Sequence, residues 1–312
     1  RVKKIALLLL LVLGCLVGLM AAFPEDTTRL MFAAERNRSG LELKAAVVDG
    51  ETWPYLEGGS PDAPVLLLLH GFGGDKDNWT RFSRTLVEEY RVIAPDLPGF
   101  GDNTLDPERD YGVGAQADAL EAFLDALGIE RCHLAGSSMG CYIAMIAALE
   151  YPERLRSLAL FNAAGLKTPE SSELEEIVAR GENPFVVASP SDVDRLVGFV
   201  THNPMPLPGA IKRAYVDRMA GRKDHLDRTL AVINTELRRN PLNDAIRRIA
   251  APTLAIWGRH DRLIDVSAVA VLEDSISDMR SVIFEDTGHM PMVECPARTA
   301  RHHREFLQRV EG

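Results

Sequence analysis

The sequence predicts an α/β protein built on a mostly parallel sheet of eight strands with helices on both faces. Short apolar runs alternate with longer segments of helical spacing along most of the 312 residues, a pattern typical of strand–helix–strand units. Several runs lead into loops rich in glycine and polar residues, as strands do at the carboxyl edge of a parallel sheet. Residues 166–246 break the alternation with helical patterns and no strand, which predicts a helical cap inserted after the sixth strand.

The predicted strands can be assigned in order along the chain. Leu41–Val48 and Thr52–Leu56 alternate in polarity around the turn dipeptide Asp49-Gly50, which predicts a hairpin. The six strands that follow are the apolar runs Pro64–Leu69, Tyr90–Ala94, Cys132–Ala135, Leu155–Phe161, Pro252–Ile256 and Ser281–Phe284. Helical spacing is found between them, as over Val113–Leu127, and a last helix covers Pro296–Val310.

These assignments divide the chain into four parts. An N-terminal segment covers residues 1–23, a short linker with at most one helical turn covers 24–39, and the α/β core comprises 40–165 and 247–312. The cap, residues 166–246, contains a well-marked helix start. Ser189 is placed to cap that helix, Pro190 falls in its first turn and Asp192 follows.

The N-terminal segment has the features of a membrane-directed sequence. Three basic residues within the first four positions precede an uncharged run, Ile5–Phe23, which would span about 28 Å as a helix. A cleaved signal peptide is the alternative to a retained transmembrane anchor, which the length of the run favours. Basic residues ahead of the run predict that the globular part lies on the extracytoplasmic side, or is secreted if the run is cleaved.

Composition argues against several classes of protein. The formal net charge of −10 comes without a basic stripe, so nucleic acid is not expected as a partner. The four cysteines form no C-x-x-C pair, and no group of His, Asp or Glu has metal-binding spacing. We therefore expect no metal site. His225, His302 and His303 are expected at the surface, and the oligomeric state is left open.

A candidate nucleophile lies between a predicted strand and an apolar helical run. Residues 136–140 read Gly-Ser-Ser-Met-Gly and fit the pattern G-x-S-x-G. Glycines on either side permit the sharp turn that would expose the Ser138 hydroxyl above the sheet. A serine hydroxyl is a poor nucleophile until a base takes its proton, so a base must be sought elsewhere in the chain.

A candidate base and acid follow in the chain order Ser, Asp, His. Asp261 lies in the loop after Pro252–Ile256, and His289 lies in the loop after Ser281–Phe284. Both loops are expected at the carboxyl edge of the sheet, near Ser138. His289 could take the serine proton and return it to a leaving group, while Asp261 would hold the imidazole in the correct tautomer.

Two backbone N–H groups are candidates for stabilising an oxyanion. Met139 directly follows the candidate nucleophile. Phe72 lies in a loop, residues 70–74, that reads His-Gly-Phe-Gly-Gly after the strand Pro64–Leu69. The glycines of this loop would let its backbone approach a substrate closely.

Together these motifs resemble the α/β-hydrolase superfamily over about residues 40–310. The loop at 96–101, Asp-Leu-Pro-Gly-Phe-Gly, adds to the likeness. Within the superfamily the chain is similar to the membrane-anchored monoacylglycerol lipase branch and related bacterial lipases. That likeness rests on the N-terminal run, on residues 71–79 and 264–267, and on Asn183-Pro184-Phe185 in the cap. The resemblance implies hydrolysis of acylglycerols or similar carboxylic esters without a cofactor.

Two positions depart from the pattern of the superfamily. The turn at residues 136–140 is called the elbow, and the helix after it the elbow helix. Cys141 stands where many relatives carry a glycine that lets this helix pack close to the sheet. We expect only a modest effect, because cysteine is small. Asp265 stands where many members carry proline, which adds a second candidate acid, although Asp261 matches the family position.

The cap is expected to supply an acyl-binding pocket for a lipid or small ester substrate. Phe185, Val186, Phe199 and Met205 are its apolar candidates, and Met290 follows the candidate base. The alternative is that these side chains simply pack the cap against the core.

Two other functions are compatible with the same residues. A carbon–carbon bond hydrolase of this fold would keep the three catalytic candidates and change the substrate, although a membrane segment argues against soluble substrates. A non-catalytic, membrane-tethered scaffold of this fold would instead bind a ligand or a partner.

Overall fold

The computed structural model describes residues 23–312, and its centre is one eight-stranded sheet with the order β1-β2-β4-β3-β5-β6-β7-β8. The strands are β1 (Leu41–Val48), β2 (Glu51–Gly58), β3 (Val65–Leu69), β4 (Arg91–Pro95), β5 (Cys132–Ser137), β6 (Leu155–Phe161), β7 (Thr253–Gly258) and β8 (Met279–Phe284). β2 runs antiparallel to both of its neighbours, and all other pairs are parallel. The predicted fold class is therefore confirmed.

Helices cover both faces of the sheet. They are α1 (Pro24–Arg38), α2 (Thr80–Ser83), α3 (Val113–Ala126), α4 (Met139–Glu150), α5 (Glu173–Ala179), α6 (Pro190–Val200), α7 (Gly209–Met219), α8 (Lys223–Arg239), α9 (Ala268–Ser275), α10 (Pro291–Glu294) and α11 (Pro296–Glu311). One apolar cluster packs α3, α4 and α9 on the sheet, with Trp53 stacked on Phe123. A second cluster packs α2 and α11 on the opposite face, around Trp79 and Phe82.

The helices α5 to α8 lie between β6 and β7, where the sequence predicts a cap. The predicted start of α6 forms as expected: the Ser189 hydroxyl accepts a hydrogen bond from the Asp192 N–H at 3.3 Å, and Pro190 opens the helix. The exact limits of cap and core, 166–246 against 40–165 and 247–312, stay predictions.

The segment predicted as a linker is a helix instead. Residues 24–38 form α1, which is 15 residues long and therefore about four turns rather than one. A proline begins the helix, Glu25 and Asp26 lie in the first turn, and Arg36 and Arg38 lie in the last. This charge distribution complements the helix dipole, a signal that the mixed composition of the segment obscured. α1 packs against the cap helix α7.

The predicted membrane segment, residues 1–23, lies outside the described residues except for Phe23. No helix within residues 23–312 is both long and apolar enough to cross a bilayer. The anchor and its orientation are thus still expectations from the sequence.

Two histidines expected at the surface are buried. His303 is 1% exposed and His225 is 8% exposed, whereas His302 is partly exposed. His303 lies on the buried stripe of α11 with Thr299, Ala300, Phe306 and Leu307. The spacing of these residues is helical, so periodicity outweighs the polarity of the imidazole at this position.

Candidate active site

Ser138 lies at the sharp turn between β5 and α4. Its φ of 54° and ψ of −116° are strained for a residue with a side chain. The two flanking positions must be glycine, because the neighbouring backbone leaves no room for a Cβ atom. A Cβ at Gly136 would lie 2.4 Å from the backbone of Gly140, and a Cβ at Gly140 would lie 2.4 Å from the Leu69 carbonyl oxygen.

Hydrogen bonds from the neighbouring strand hold this turn in place. The Ser138 N–H donates to the Phe161 carbonyl at the end of β6 at 3.0 Å, and the Ser138 carbonyl accepts from the Ala164 N–H at 3.2 Å. The thiol of Cys141 donates to the Gly136 carbonyl at 3.0 Å. Cys141 is fully buried, and burial raises the pKa of its thiol. It therefore fills the family's glycine position as a small neutral core residue.

His289 and Asp261 form a buried hydrogen-bonded pair. The Nδ1 atom of His289 lies 2.8 Å from Oδ2 of Asp261, and the Asp261 side chain is fully shielded from solvent. Asp261 follows β7 and His289 follows β8, so both lie at the carboxyl edge of the sheet where β5 delivers Ser138. Asp265 instead accepts from the Ser267 N–H at 2.8 Å before α9, and it makes no bond to His289.

Asn162 also belongs to the candidate site, although no sequence pattern points to it. It directly follows β6, has a φ of 52° and is fully buried. Its Nδ2 atom donates to Asp261 Oδ2 at 2.6 Å. The backbone N–H groups of Leu263 and Ile264 donate to the other carboxylate oxygen at 2.8 and 3.1 Å. A buried carboxylate is thus held by several donors, as a buried charge requires.

The loop from Gly71 to Gly74 lies beside the elbow. A Cβ at Gly71 would lie 3.1 Å from the Ser138 Cβ. Within residues 23–312, neither the Phe72 N–H nor the Met139 N–H has a hydrogen-bond acceptor. The Leu97 N–H donates to Nε2 of His70 at 3.0 Å, so the Nδ1 atom of His70 must be the donor to the Gly71 carbonyl at 2.8 Å.

Comparison with known proteins identifies the family. A family profile described as the alpha/beta hydrolase fold matches residues 64–187. Lipase 1 of Psychrobacter immobilis is 33% identical over 311 residues, which cover 98% of this chain and 96% of that lipase. The chain belongs to the α/β-hydrolase family.

Two further relatives of this α/β-hydrolase were found. Monoacylglycerol lipase ABHD6 of Mus musculus is 27% identical over 300 residues, covering 93% of this chain and 89% of that protein. The crystal structure of a membrane phospholipase A, described as a bacterial virulence factor, is 42% identical with a TM-score of 0.87 and 99% coverage of both chains. With these relatives, the chain is a carboxylic ester hydrolase.

An apolar cluster joins the cap to loops of the candidate site in this α/β-hydrolase. Phe185 and Phe199 are buried in it together with Leu263, which lies in the loop that carries Asp261. The ring centroid of Phe72 lies 5.1 Å from that of Phe185. Two of the predicted pocket residues therefore lie beside the loop that carries a candidate oxyanion donor.

The other predicted pocket residues are placed differently. Met205 is 66% exposed in the loop before α7. Met290 is partly buried against the core cluster on the α11 face of the sheet and does not belong to the cluster of Phe185 and Phe199. Val186 is partly buried next to Phe185 but does not belong to the cluster. Met205 therefore contacts no apolar cluster of the cap, and its role in substrate binding stays a prediction.

Proposed function

We propose that this α/β-hydrolase cleaves lipid esters such as monoacylglycerols through Ser138, His289 and Asp261 by way of an acyl-enzyme. The observation that carries the proposal is the buried bond of 2.8 Å between His289 Nδ1 and Asp261 Oδ2 at the same sheet edge as the strained serine. The names of the relatives, which include lipases and a monoacylglycerol lipase, support the lipid ester.

Each group has one task in this reaction. Because Nδ1 of His289 is bonded to Asp261, Nε2 is the ring nitrogen left to take the Ser138 proton. The serine oxygen then attacks the ester carbonyl, and His289 returns the proton to the leaving alcohol. Water repeats the sequence on the acyl-enzyme and releases the acid. Asp261 stabilises the imidazolium in both halves.

The N–H groups of Phe72 and Met139 are proposed to bind the oxyanion of each tetrahedral intermediate. Both lack an acceptor among the described residues, and Gly71 brings the first of them close to Ser138. Donors of this kind contribute roughly 3 kcal/mol each to transition-state stabilisation.

The cap cluster is proposed to bind the acyl chain. Phe185 and Phe199 are apolar, belong to the cap and lie near Phe72, and Val186 adjoins them. We also propose that residues 1–23 anchor the protein in a membrane, with the hydrolase on the extracytoplasmic side. α1 begins where that apolar run ends, so the anchor would place the enzyme at its lipid substrates.

Fluorophosphonate labelling of the purified full-length chain tests the nucleophile. We expect labelling and ester turnover in the wild type and the loss of both in Ser138→Ala, since loss of a nucleophile of this kind costs about 10⁶-fold in kcat. Ser137→Ala is the matched control, because it removes the neighbouring hydroxyl. Turnover of p-nitrophenyl esters from acetyl to palmitoyl should peak at medium or long chains.

Other outcomes would point to the alternatives. Ser138→Ala with turnover within about tenfold of the wild type would remove Ser138 from its proposed role. Labelling without ester turnover would favour carbon–carbon hydrolysis, and no labelling at all would favour a non-catalytic scaffold.

A further inference from the structure

A charged segment, Asp75–Asp77, directly follows the loop that carries Phe72. Its central residue, Lys76, is fully buried, as is Asp96 after β4. The Lys76 Nζ donates to Asp96 Oδ2 at 2.7 Å and to Asp102 Oδ2 at 2.6 Å, and its backbone N–H donates to Asp96 Oδ1 at 2.8 Å. Because a buried charge without its partner is costly, the Lys76–Asp96 ion pair holds the segment Asp75–Asp77 against the core.

The two aspartates of the segment bind arginines from two other elements. Arg36 of α1 donates to both oxygens of Asp77, Nε to Oδ1 at 2.7 Å and Nη2 to Oδ2 at 2.5 Å. Arg218 of the cap helix α7 donates to Asp75 Oδ2 at 2.8 Å. Burial pushes the pKa of Asp75 upward, but the charges of Arg218 and Lys76 outweigh it and hold the pKa below its ordinary value. The lowered pKa favours the ionised form of Asp75, which pairs with the Arg218 guanidinium.

Only a few residues separate these ion pairs from Phe72, and hydrogen bonds and close packing hold them in place. The Gly74 N–H donates to the Gly71 carbonyl at 3.1 Å, and the Asp75 side chain accepts from the Asp77 N–H at 2.9 Å. The cavity between this loop and α7 holds only about 20 Å³, which is room for one water. A displaced aspartate would thus move the loop that it follows.

The loop from Gly71 to Gly74, which carries Phe72, is called the oxyanion loop. We propose that Arg36 and Arg218 are positioning residues for this loop, so that α1 and the cap helix α7 together set the direction of the Phe72 N–H. The inference rests on the proposed function, because it needs that N–H to be an oxyanion donor. An oxyanion donor acts only within a narrow distance range, and a misplacement of about 1 Å can cost on the order of 100-fold. The helix that follows the predicted membrane segment would then influence the rate of ester cleavage.

The variants Arg36→Gln and Arg218→Gln test this role in the full chain. We expect kcat for a p-nitrophenyl ester to fall about 10- to 100-fold while KM stays within about threefold, because the lost interaction acts in the transition state. The Ser138 oxygen adds to the carbonyl carbon of a trifluoromethyl ketone inhibitor, and the carbonyl oxygen becomes an oxyanion. Its inhibition constant should rise in parallel with the loss of kcat/KM, whereas a merely structural defect would not produce that parallel.

Arg154→Gln is the matched control. The Arg154 side chain is 14% exposed against 15% for Arg36, and it also pairs with carboxylates, those of Glu121 and Asp125. It lies immediately before β6, at the amino edge of the sheet, so kcat and inhibitor affinity should be unchanged. Thermal unfolding of each variant reports the integrity of the fold, and Arg36→Lys and Arg218→Lys replace any variant that does not fold.

The outcomes separate this inference from the function on which it rests. Wild-type kcat and inhibitor affinity in both variants would overturn the positioning role. A fall in kcat with unchanged inhibitor affinity would also overturn it, since the oxyanion donors would then be intact. A wild-type chain without Ser138-dependent turnover would instead overturn the proposed function, and this role with it.

Discussion

At the scale of single residues, the Asp261 carboxylate is the most constrained group of the candidate site. It accepts hydrogen bonds from Asn162, Leu263 and Ile264 in addition to its bond with His289. Of the first three, Asn162 is the one that donates from its side chain. Its own Oδ1 atom is buried with no hydrogen-bond partner among residues 23–312. All hydrogen bonds of this side chain are therefore made by its Nδ2 atom.

Changing Asn162 should therefore alter the pH profile of the enzyme. Asn162→Asp would put a second carboxylate where Nδ2 now lies 2.6 Å from Asp261 Oδ2. Two adjacent carboxylates favour a bound proton on the His289–Asp261 group, so the acid limb of kcat/KM should move to higher pH. Asn162→Leu removes the donor without adding charge and should lower kcat about tenfold with the limb little moved. Coincident profiles for Asn162→Asp and the wild type would contradict this.

Asn162 and the three predicted residues differ in how the sequence marks them. Ser138, Asp261 and His289 each lie in a local motif that follows an apolar run, and their chemistry is visible in their own side chains. Asn162 lies in no motif, and its importance comes from strand order, because β6 lies between β5 and β7. Strand neighbours are a property of the folded sheet, and neither spacing nor composition encodes them locally.

At the scale of elements, close approach of the elbow helix to β3 makes Gly140 indispensable. A Cβ at this position would meet the Leu69 carbonyl oxygen at 2.4 Å and the His70 carbonyl oxygen at 2.7 Å, and both are backbone atoms that cannot turn away. We expect Gly140→Ala to lower the free energy of unfolding by roughly 3 kcal/mol or more. Gly114→Ala is the control, because a Cβ there meets nothing within 4 Å on α3.

Urea unfolding of the two variants measures this difference. Gly114→Ala should raise stability by roughly 0.5–1 kcal/mol, since alanine loses less backbone entropy than glycine in a helix. Equal stability for the two variants would mean that the elbow helix can move away from β3.

Elements whose signal is local were predictable from the sequence. The eight strands follow from apolar runs, and the start of α6 follows from Ser189 and Pro190. α1 was missed because its face against the rest of the molecule is built from ion pairs such as Arg36–Asp77 rather than from an apolar stripe. Its partners are α7 and Asp77, which follows the loop at residues 71–74, and only the folded chain brings them together.

At the scale of the whole molecule, buried histidines make the fold sensitive to acid. Burial lowers the pKa of His70, His133 and His225, and it lowers that of His303 to about 3. Both ring nitrogens of His303 lack a partner among the described residues, and Phe82 stacks against the ring at 5.7 Å. In the unfolded chain a histidine binds a proton below about pH 6.5.

The sign of the effect on stability follows from proton counts. Between about pH 6.5 and pH 3 the unfolded chain holds a proton on His303 that the native protein does not, so the free energy of unfolding falls as the pH falls. One such proton contributes a slope of about 1.4 kcal/mol per pH unit. His303→Leu should therefore flatten the dependence of stability on pH between about 6 and 4 by up to this amount. His302→Leu, the same substitution at a partly exposed neighbour on α11, is the comparison variant. Chemical denaturation at four or five pH values in this range gives both slopes, and equal slopes for the two variants would show that His303 takes up a proton inside the folded protein.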